Sequence, residues 1–337
     1  MKTILVTGGA GFIGSNFCHY LLKQSRTDKV IALDTLTYAG NLENLKSLEG
    51  HPQLTFVKAS ICDQSAIEKV FQEQPIDIIV HFAAESHVDR SIENSQIFIE
   101  TNVLGTQVLL ECAKKHHCEK FIHVSTDEVY GSLGETGEFT EDSPLQPNSP
   151  YAASKAASDL LVRSYFQTYK LPVIITRCSN NYGPYQFPEK LIPLMINNIL
   201  SQKKLPVYGT GTNIRDWLYV EDHCDAILTL MNSGSVGEVY NIGGGTEMTN
   251  LDLVKYLIQS LNADESLIDF VPDRLGHDFR YAINFDKLNT ELNWKPKTSF
   301  EEGLKKTISW YVSNEEWLQD VTSGDYQNYY ERHYINR

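Results

Sequence analysis

No run of about 18 apolar residues occurs anywhere in this 337-residue chain, which excludes a membrane-spanning helix as its organising element. Cysteine is scarce: the six present, Cys18, Cys62, Cys112, Cys118, Cys178 and Cys224, are scattered and form no CxxC pair. A disulfide framework is therefore not indicated, no metal site is expected, and the thiols read as the reduced ones of a cytoplasmic protein. Positive charge is also short. Lys and Arg number 29 against 43 Asp and Glu, a net charge of −14. That argues against nucleic acid or an anionic membrane as the main partner, because either calls for a basic face. A nucleotide-sized anion remains possible, held locally by a few arginines and backbone amides. Internal repeats and low-complexity tracts are absent, and Lys2 followed at once by TILVTGG is expected to leave no room for a signal peptide.

What is present is ordinary for a soluble globular protein, 42% hydrophobic and 21% charged residues on a chain long enough for one large or two coupled domains. The first half alternates β-rich runs with helical periodicity, the pattern of βαβ units that build a parallel sheet. Strands are predicted at Thr3–Thr7, Val30–Asp34, Leu54–Lys58, Ile76–His81, Lys120–Ser125 and Val173–Arg177. Helices are predicted at Phe12–Gln24, Gln64–Gln74, Gln96–His117 and Tyr151–Tyr169. Past Cys178 the alternation fails, and Pro184, Pro188, Pro193 and Pro206 punctuate mixed signals. The expected fold is an α/β, Rossmann-type doubly wound parallel sheet, residues 1–178, followed by a smaller C-terminal α/β substrate-binding lobe, residues 179–337. GEVYNIGG around Tyr240 reads as a further buried strand, so the chain is expected to return to the first domain near residues 213–245.

The run TGGAGFIG sets Gly8, Gly11 and Gly14 at three-residue spacing between a predicted strand and a predicted helix. The first glycine permits the tight turn, the second lets backbone approach a pyrophosphate, and the third allows close packing at a helix N-terminus that favours an anion. A glycine pattern alone also fits an ordinary strand-to-helix turn. Asp34 closes the second strand 20 residues beyond Gly14. A carboxylate there accepts hydrogen bonds from a ribose and repels a ribose phosphate, which favours NAD over NADP.

Tyr151 and Lys155 stand four apart at a predicted helix start and so share a face. An ammonium beside a phenol stabilises the phenolate and is expected to pull the tyrosine down toward working pH. With 18 tyrosines such a spacing arises by chance roughly once, so its place just beyond the fifth strand is what gives it weight. The plainer alternative is a solvated helix start with an incidental lysine. In HVSTDEVYG the fifth strand runs into Thr126, Asp127 and Glu128. Adjacent acids on a regular strand face opposite ways, so both serve one substrate only if the chain leaves strand geometry here. Two carboxyls with separated pKa values would then form a general acid and a general base; otherwise they are a solvated pair in a loop.

The strings TGGAGFIGSNF, LTYAGNLENL, HFAAESHVDRSI, STDEVYG, SPYAASKAASD, SNNYGPYQFPEKLIP, RDWLYVEDH, YNIGGG and DRLGHDFRYAI run nearly end to end. In them the chain resembles the dTDP-glucose 4,6-dehydratase family, nucleotide-sugar enzymes of the extended short-chain dehydrogenase/reductase type. Sister 4-epimerases share the glycines and YxxxK but usually carry a small or hydroxyl residue in place of the Asp-Glu pair. The resemblance implies Tyr151 as the base at the sugar 4-hydroxyl, Lys155 on the ribose, Thr126 at the 4-oxygen, Glu128 as the carbon 5 base and Asp127 as the acid at the 6-hydroxyl. It implies a tightly bound NAD, regenerated each turnover and held by Gly8, Gly11, Phe12, Ile13, Gly14, Asp34, Thr35, Leu36, Thr37, Ser60, Ile61, Phe82, Ala83, Ala84, Ser86, Thr101, Tyr151, Lys155 and Asn181.

For the nucleotide sugar, dTDP-glucose, it implies Ser86, His87, Thr126, Asn180, Glu189, Lys190, Leu191, Pro206, Tyr208, Arg215, Asn250, Arg274 and His277. The two arginines fork onto phosphate oxygens in this picture. The family pattern is broken at Ser60, usually Asp and a contact to adenine, and at Thr35, usually Lys, and the loop Gly131–Phe139 is short. A homodimer through the helices Gln96–His117 and Tyr151–Tyr169 is a further implication. The alternatives are another NAD-dependent nucleotide-sugar dehydratase, epimerase or decarboxylase, and, from a different class, a non-catalytic NAD-sensing protein.

Overall fold

The computed structural model describes residues 2–24 and 28–323 together with Tyr326 and Tyr330. Its framework is a seven-stranded, all-parallel sheet. In chain order the strands are β1 (Thr3–Thr7), β2 (Lys29–Asp34), β3 (Leu54–Lys58), β4 (Ile78–His81), β5 (Lys120–Thr126), β6 (Val173–Cys178) and, much later, Val239–Ile242. The spatial order places β3, β2, β1, β4, β5 and β6 side by side, with Val239–Ile242 at the edge beside β6. Strand order reverses between β1 and β4, and the crevice beyond the carboxyl ends at that switch is where a doubly wound sheet binds its ligand.

Buried on both faces, the strands split their side chains between two helical layers. Ile4 and Val6 of β1 face one core with Phe17, Cys18 and Leu21 of α1 (Phe12–Gln24), whereas Leu5 faces the other with Ile67 and Phe71 of α2 (Gln64–Glu73). Ile79 of β4 is fully buried in that second core; truncating it to alanine is expected to cost about 2–5 kcal/mol.

The predicted helix Gln96–His117 is one rod in three parts. A short turn α4 (Gln96–Phe98), counted after α3 (Val88–Glu93), passes into a π-helical stretch Ile99–Gly105 and then α5 (Thr106–Lys115). The widened turn buries Asn102, whose amide donates to the Glu85 carbonyl (3.0 Å) and to Ser154 Oγ (2.8 Å) while its carbonyl oxygen accepts from the Glu85 N–H (2.8 Å). The rod is thereby tied to the loop after β4 and to α6 (Pro150–Tyr169). Gly105 permits the close fit, since a Cβ there would press on Ile61.

The rest of the chain alternates between two places. β7 (Asn180–Tyr182), β9 (Ile214–Tyr219) and β11 (Glu247–Thr249) form a separate three-stranded sheet, and β8 (Leu205–Tyr208) pairs with β12 (Ile268–Val271). α7 (Leu191–Leu200), α9 (Asn250–Ser260), α11 (Phe300–Ser313) and α12 (Glu315–Val321) pack around these in a third core. Between them α8 (Val220–Ser233) lies on α1, and β10 (Val239–Ile242) is the seventh strand of the large sheet. The short α10 (Asp286–Leu292) contacts β10. Among the described residues no helix is long and apolar enough to cross a membrane, and no group of three or more His, Cys, Asp or Glu is arranged to hold a metal.

Candidate active site

Two pockets open at the carboxyl edge of the large sheet and share Glu128, Asn180, Glu189 and Lys190 as lining. The larger follows the turn after β1. Gly8 has φ +68°, and a Cβ on it would sit 2.8 Å from the Ala83 nitrogen; a Cβ on Gly14 would collide with the Gly8 carbonyl oxygen. The turn is thus closed to side chains, with Gly11 N–H donating to the Gly8 carbonyl at 3.0 Å, and its backbone is bare toward the pocket, the cradle a dinucleotide diphosphate requires. Asp34, buried at the end of β2, accepts from Ala10 N–H (3.1 Å) and Leu36 N–H (2.8 Å). Burial raises its pKa, and these backbone donors oppose the rise. The residues fit NAD.

Most of the expected cofactor set lines this pocket. Gly8, Gly11, Phe12, Ile13 and Gly14 come from the turn and α1, Asp34, Thr35 and Thr37 from the end of β2, and Ser60 and Ile61 from the end of β3. Phe82, Ala83, Ala84 and Ser86 follow β4, Thr101 sits on the π-helical stretch, and Tyr151, Lys155 and Asn181 complete the lining. Leu36 differs from expectation. Its φ of +59° turns its side chain onto the core beneath α1, and only its amide serves the site, through Asp34. Ala39, Gly40, Glu85, Gln186 and Phe187 also line the pocket and were not singled out from sequence. Ser60 Oγ accepts from the Cys62 N–H at 3.2 Å, a local turn that fixes its position on the pocket wall.

At the junction the chain leaves strand geometry. β5 ends at Thr126, whose Oγ1 accepts from the Glu128 N–H (3.3 Å) and caps a 3₁₀ turn, Asp127–Tyr130. The cap releases the two acids from strand alternation, and both line the cofactor pocket while Glu128 also lines the second. Asp127 Oδ1 accepts from the Thr126 hydroxyl at 3.3 Å, and Oδ2 is buried without a hydrogen-bond partner. Burial pushes Asp127 well above the usual carboxylate range, and the negative charges of Glu128 and Asp216 add to it. Glu128 is raised by burial too, but Lys190, Arg215 and Arg274 pull it back. Burial and like charge thus raise Asp127 strongly, whereas three cationic neighbours oppose the rise at Glu128, an asymmetry of the kind that separates an acid from a base.

Tyr151 stands in the first turn of α6, fixed by Pro150 and by Ser149, whose Oγ accepts from the Ala152 N–H at 3.1 Å. The expected lowering of its phenol by Lys155 is absent here. Burial and then the Glu128 charge push Tyr151 well above its ordinary value. The Lys155 ammonium instead donates to the Val124 carbonyl at 2.8 Å, and burial lowers it to about 8. Helical spacing places the two on one face, but the lysine stem follows β5 and its charge is spent on that strand.

The second pocket collects His87, Asn180, Glu189, Lys190, Leu191, Pro206, Tyr208, Arg215, Asn250, Arg274 and His277, drawn from the residue before α3, β7, the end of the loop into α7 and its first residue, β8, β9, α9 and the loop after β12. Ser86 and Thr126 lie on the cofactor side. Lys190 Nζ donates to the Ser86 carbonyl (2.7 Å), bridging the two. Arg215 is held by the Ile214 and Asp278 carbonyls (2.7 and 3.0 Å) over the Tyr281 ring. Arg274 makes a two-pronged contact with the buried Asp89 (2.8 and 2.7 Å), which also accepts from the Tyr208 hydroxyl (3.2 Å). Asn180 Oδ1 and Asn250 Oδ1 are buried with no hydrogen-bond partner, as acceptors awaiting a polar ligand would be. Asp89, Asp278 and Tyr281 shape this pocket although sequence reasoning passed over them; each lay inside a quoted string, HVDRSI or DRLGHDFRYAI, but carried no local chemical signal.

A family model described as GDP-mannose 4,6 dehydratase matches residues 5–307. The chain is 52% identical to a dTDP-glucose 4,6-dehydratase of Xanthomonas campestris pv. campestris (strain B100), over 97% of this chain and 98% of that one. It is similar to the crystal structure of dTDP-glucose 4,6-dehydratase from Bacillus anthracis in complex with NAD, with a TM-score of 0.90 and 54% identity, covering 95% of this chain and 100% of the other. The same enzyme from Streptomyces venezuelae, with NAD and TYD bound, gives a TM-score of 0.92 at 51% identity over the same shares.

Proposed function

We infer a reaction course for a chain that belongs to the dTDP-glucose 4,6-dehydratase family: it is an NAD-dependent hydro-lyase that converts dTDP-glucose to dTDP-4-keto-6-deoxyglucose and water. The observation that supports the elimination is the capped turn that sets Asp127, Glu128 and Tyr151 together where the two pockets meet. A plain epimerase or dehydrogenase needs the tyrosine but has no use for a protonated acid and a separate base beside it.

NAD, when bound along the glycine turn, supplies a reversible hydride acceptor. Tyr151, raised by burial in the protein alone, would act as phenolate once the positive nicotinamide stands beside it, taking the proton of the sugar 4-hydroxyl as hydride leaves carbon 4, with Thr126 hydrogen-bonding the developing 4-oxygen. Lys155, whose ammonium is held on the Val124 carbonyl in the NAD-free fold, would hold the cofactor ribose. The 4-ketone acidifies the carbon 5 proton, and Glu128 removes it. Asp127, its pKa raised by burial and its acidic neighbours, donates to the departing 6-hydroxyl, and water leaves. Carbon 6, which has lost its hydroxyl, then receives the hydride taken from carbon 4, and carbon 5 regains a proton. Arg215 and Arg274 hold the diphosphate, each already oriented by a carbonyl or carboxylate partner.

The first lobe, residues 1–178 with α8 and β10, carries NAD in this proposal, and the remainder carries the nucleotide sugar. The product would feed dTDP-rhamnose or another deoxysugar. A cytoplasmic setting is supported by six free cysteines, and a homodimer by exposed Ile97, Ile99, Leu104 and Leu160 on the π-containing rod and α6. Incubation with dTDP-glucose should give a 4-keto product with alkali-sensitive absorbance; turnover of a different nucleotide sugar, and none of dTDP-glucose, would refute the assignment.

A further inference from the structure

Tyr38 lies in the loop after β2, between Thr37 and Ala39 on one wall of the cofactor pocket. Its ring carries the Arg90 guanidinium carbon above it, 3.9 Å from the ring centroid, and meets the Phe187 ring edge-on with centroids 5.8 Å apart. Arg90 Nε donates to Glu189 Oε2 at 3.0 Å, and the negative charges of Glu189 and Glu85 act on the buried Tyr38 phenol, raising it. Glu85, Phe187 and Glu189 all line the same pocket. Four separate segments therefore meet around one aromatic ring and one guanidinium, and the contact joins the loop after β2 to the Phe187–Glu189 segment.

The chemistry of the cluster explains its composition. Glu85 and Glu189 are both largely buried and both raised by burial, and the Arg90 charge is the strongest pull opposing that rise in each. Arg90 neutralises them while it stays on Tyr38, a combination that a planar, forked guanidinium serves better than a point-charge ammonium. Glu85 is itself immobilised by the paired hydrogen bonds with Asn102, so the cluster is anchored on one side to the sheet and on the other to the second lobe.

We propose that Arg90 and Tyr38 are positioning residues that clasp the loop after β2 to the Phe187–Glu189 segment and so govern how slowly NAD leaves the enzyme. The clasp rests on the assignment of NAD to this pocket and goes beyond it, because neither residue touches the reacting atoms. NAD released from the purified, fully loaded protein is to be followed over time by rapid dilution into an NAD scavenger. Arg90→Gln and Tyr38→Ala should release it faster by about tenfold or more, and Tyr38→Phe and Arg90→Lys by less, since the former keeps the ring face and the latter the charge. Excess NAD should restore kcat with KM for dTDP-glucose unchanged, and the unfolding midpoint of the NAD-free form should match the parent's. Release at the parental rate would overturn the clasp, as would lost activity that excess NAD does not restore. A parent protein that binds no NAD would instead overturn the cofactor assignment and the clasp with it.

Discussion

The ammonium of Lys155 donates to the backbone carbonyl of Val124, on the neighbouring strand β5, at 2.8 Å. Burial lowers this lysine to about 8, against a smaller opposing pull from the Asp159 carboxylate one turn along α6. Its folded-state value thus lies below the ordinary 10.5 of the unfolded chain. Between those two values the unfolded chain holds a proton that the folded one has lost, so this group makes stability rise with pH across that window. Denaturant unfolding of the NAD-free parent and Lys155→Met should show a difference that moves in the parent's favour by on the order of 3 kcal/mol as pH rises from about 7 to about 10.5. A pH-independent difference would mean that the lysine keeps its ordinary affinity for a proton in the fold.

The division of labour at the capped turn separates oxidation from elimination. Tyr151→Phe should lower turnover by about 10²–10⁴-fold without accumulating reduced nicotinamide. Asp127→Asn combined with Glu128→Gln should leave the first hydride transfer intact and stall there, so reduced nicotinamide accumulates and no dehydrated sugar forms. Stopped-flow absorbance and product chromatography distinguish the two, and normal dehydration by the double variant would show that the acid and base are misassigned.

Where chemistry was local in the chain, sequence was a sufficient guide. Gly8, Gly11 and Gly14 act through backbone they themselves form, and Thr126, Asp127 and Glu128 are consecutive, so the turn that frees the acids from strand alternation could be anticipated from their adjacency. The parallel sheet followed from runs that are apolar on both faces. What was hidden depends on separation or on tertiary environment. Arg274 meets Asp89 across 185 positions, and Arg90 meets Glu189 across 99. The π-helical stretch Ile99–Gly105 leaves the apolar spacing almost unaltered, so the rod read as one regular helix. Lys155 shares a face with Tyr151 as helical spacing requires, yet its long stem carries the charge to β5, a choice that periodicity does not encode.

Gly14→Ala places a methyl against the Gly8 carbonyl, backbone against backbone, where no side chain can give way. It should lower the unfolding free energy by about 1–3 kcal/mol and abolish stable NAD loading, measured by denaturant titration and by nucleotide content after purification. Parental loading in this variant would show that the turn does not need to close on α1.

Exposed Leu104 and Leu160, 55% and 58% accessible, flank the rod and α6. If two such faces pair, light scattering should give a mass near twice 38.2 kDa, and Leu104→Glu with Leu160→Glu should return it to the monomer value with the fold retained by circular dichroism. A parent mass of one chain would refute the homodimer.

Hydride that leaves carbon 4 and comes back to carbon 6 within one turnover is the core of the account, and isotope placement reads it directly. With dTDP-glucose deuterated at carbon 4, the product should carry the deuterium in its carbon 6 methyl group, seen by mass spectrometry and proton NMR. Deuterium remaining at carbon 4, or lost to solvent, would contradict it.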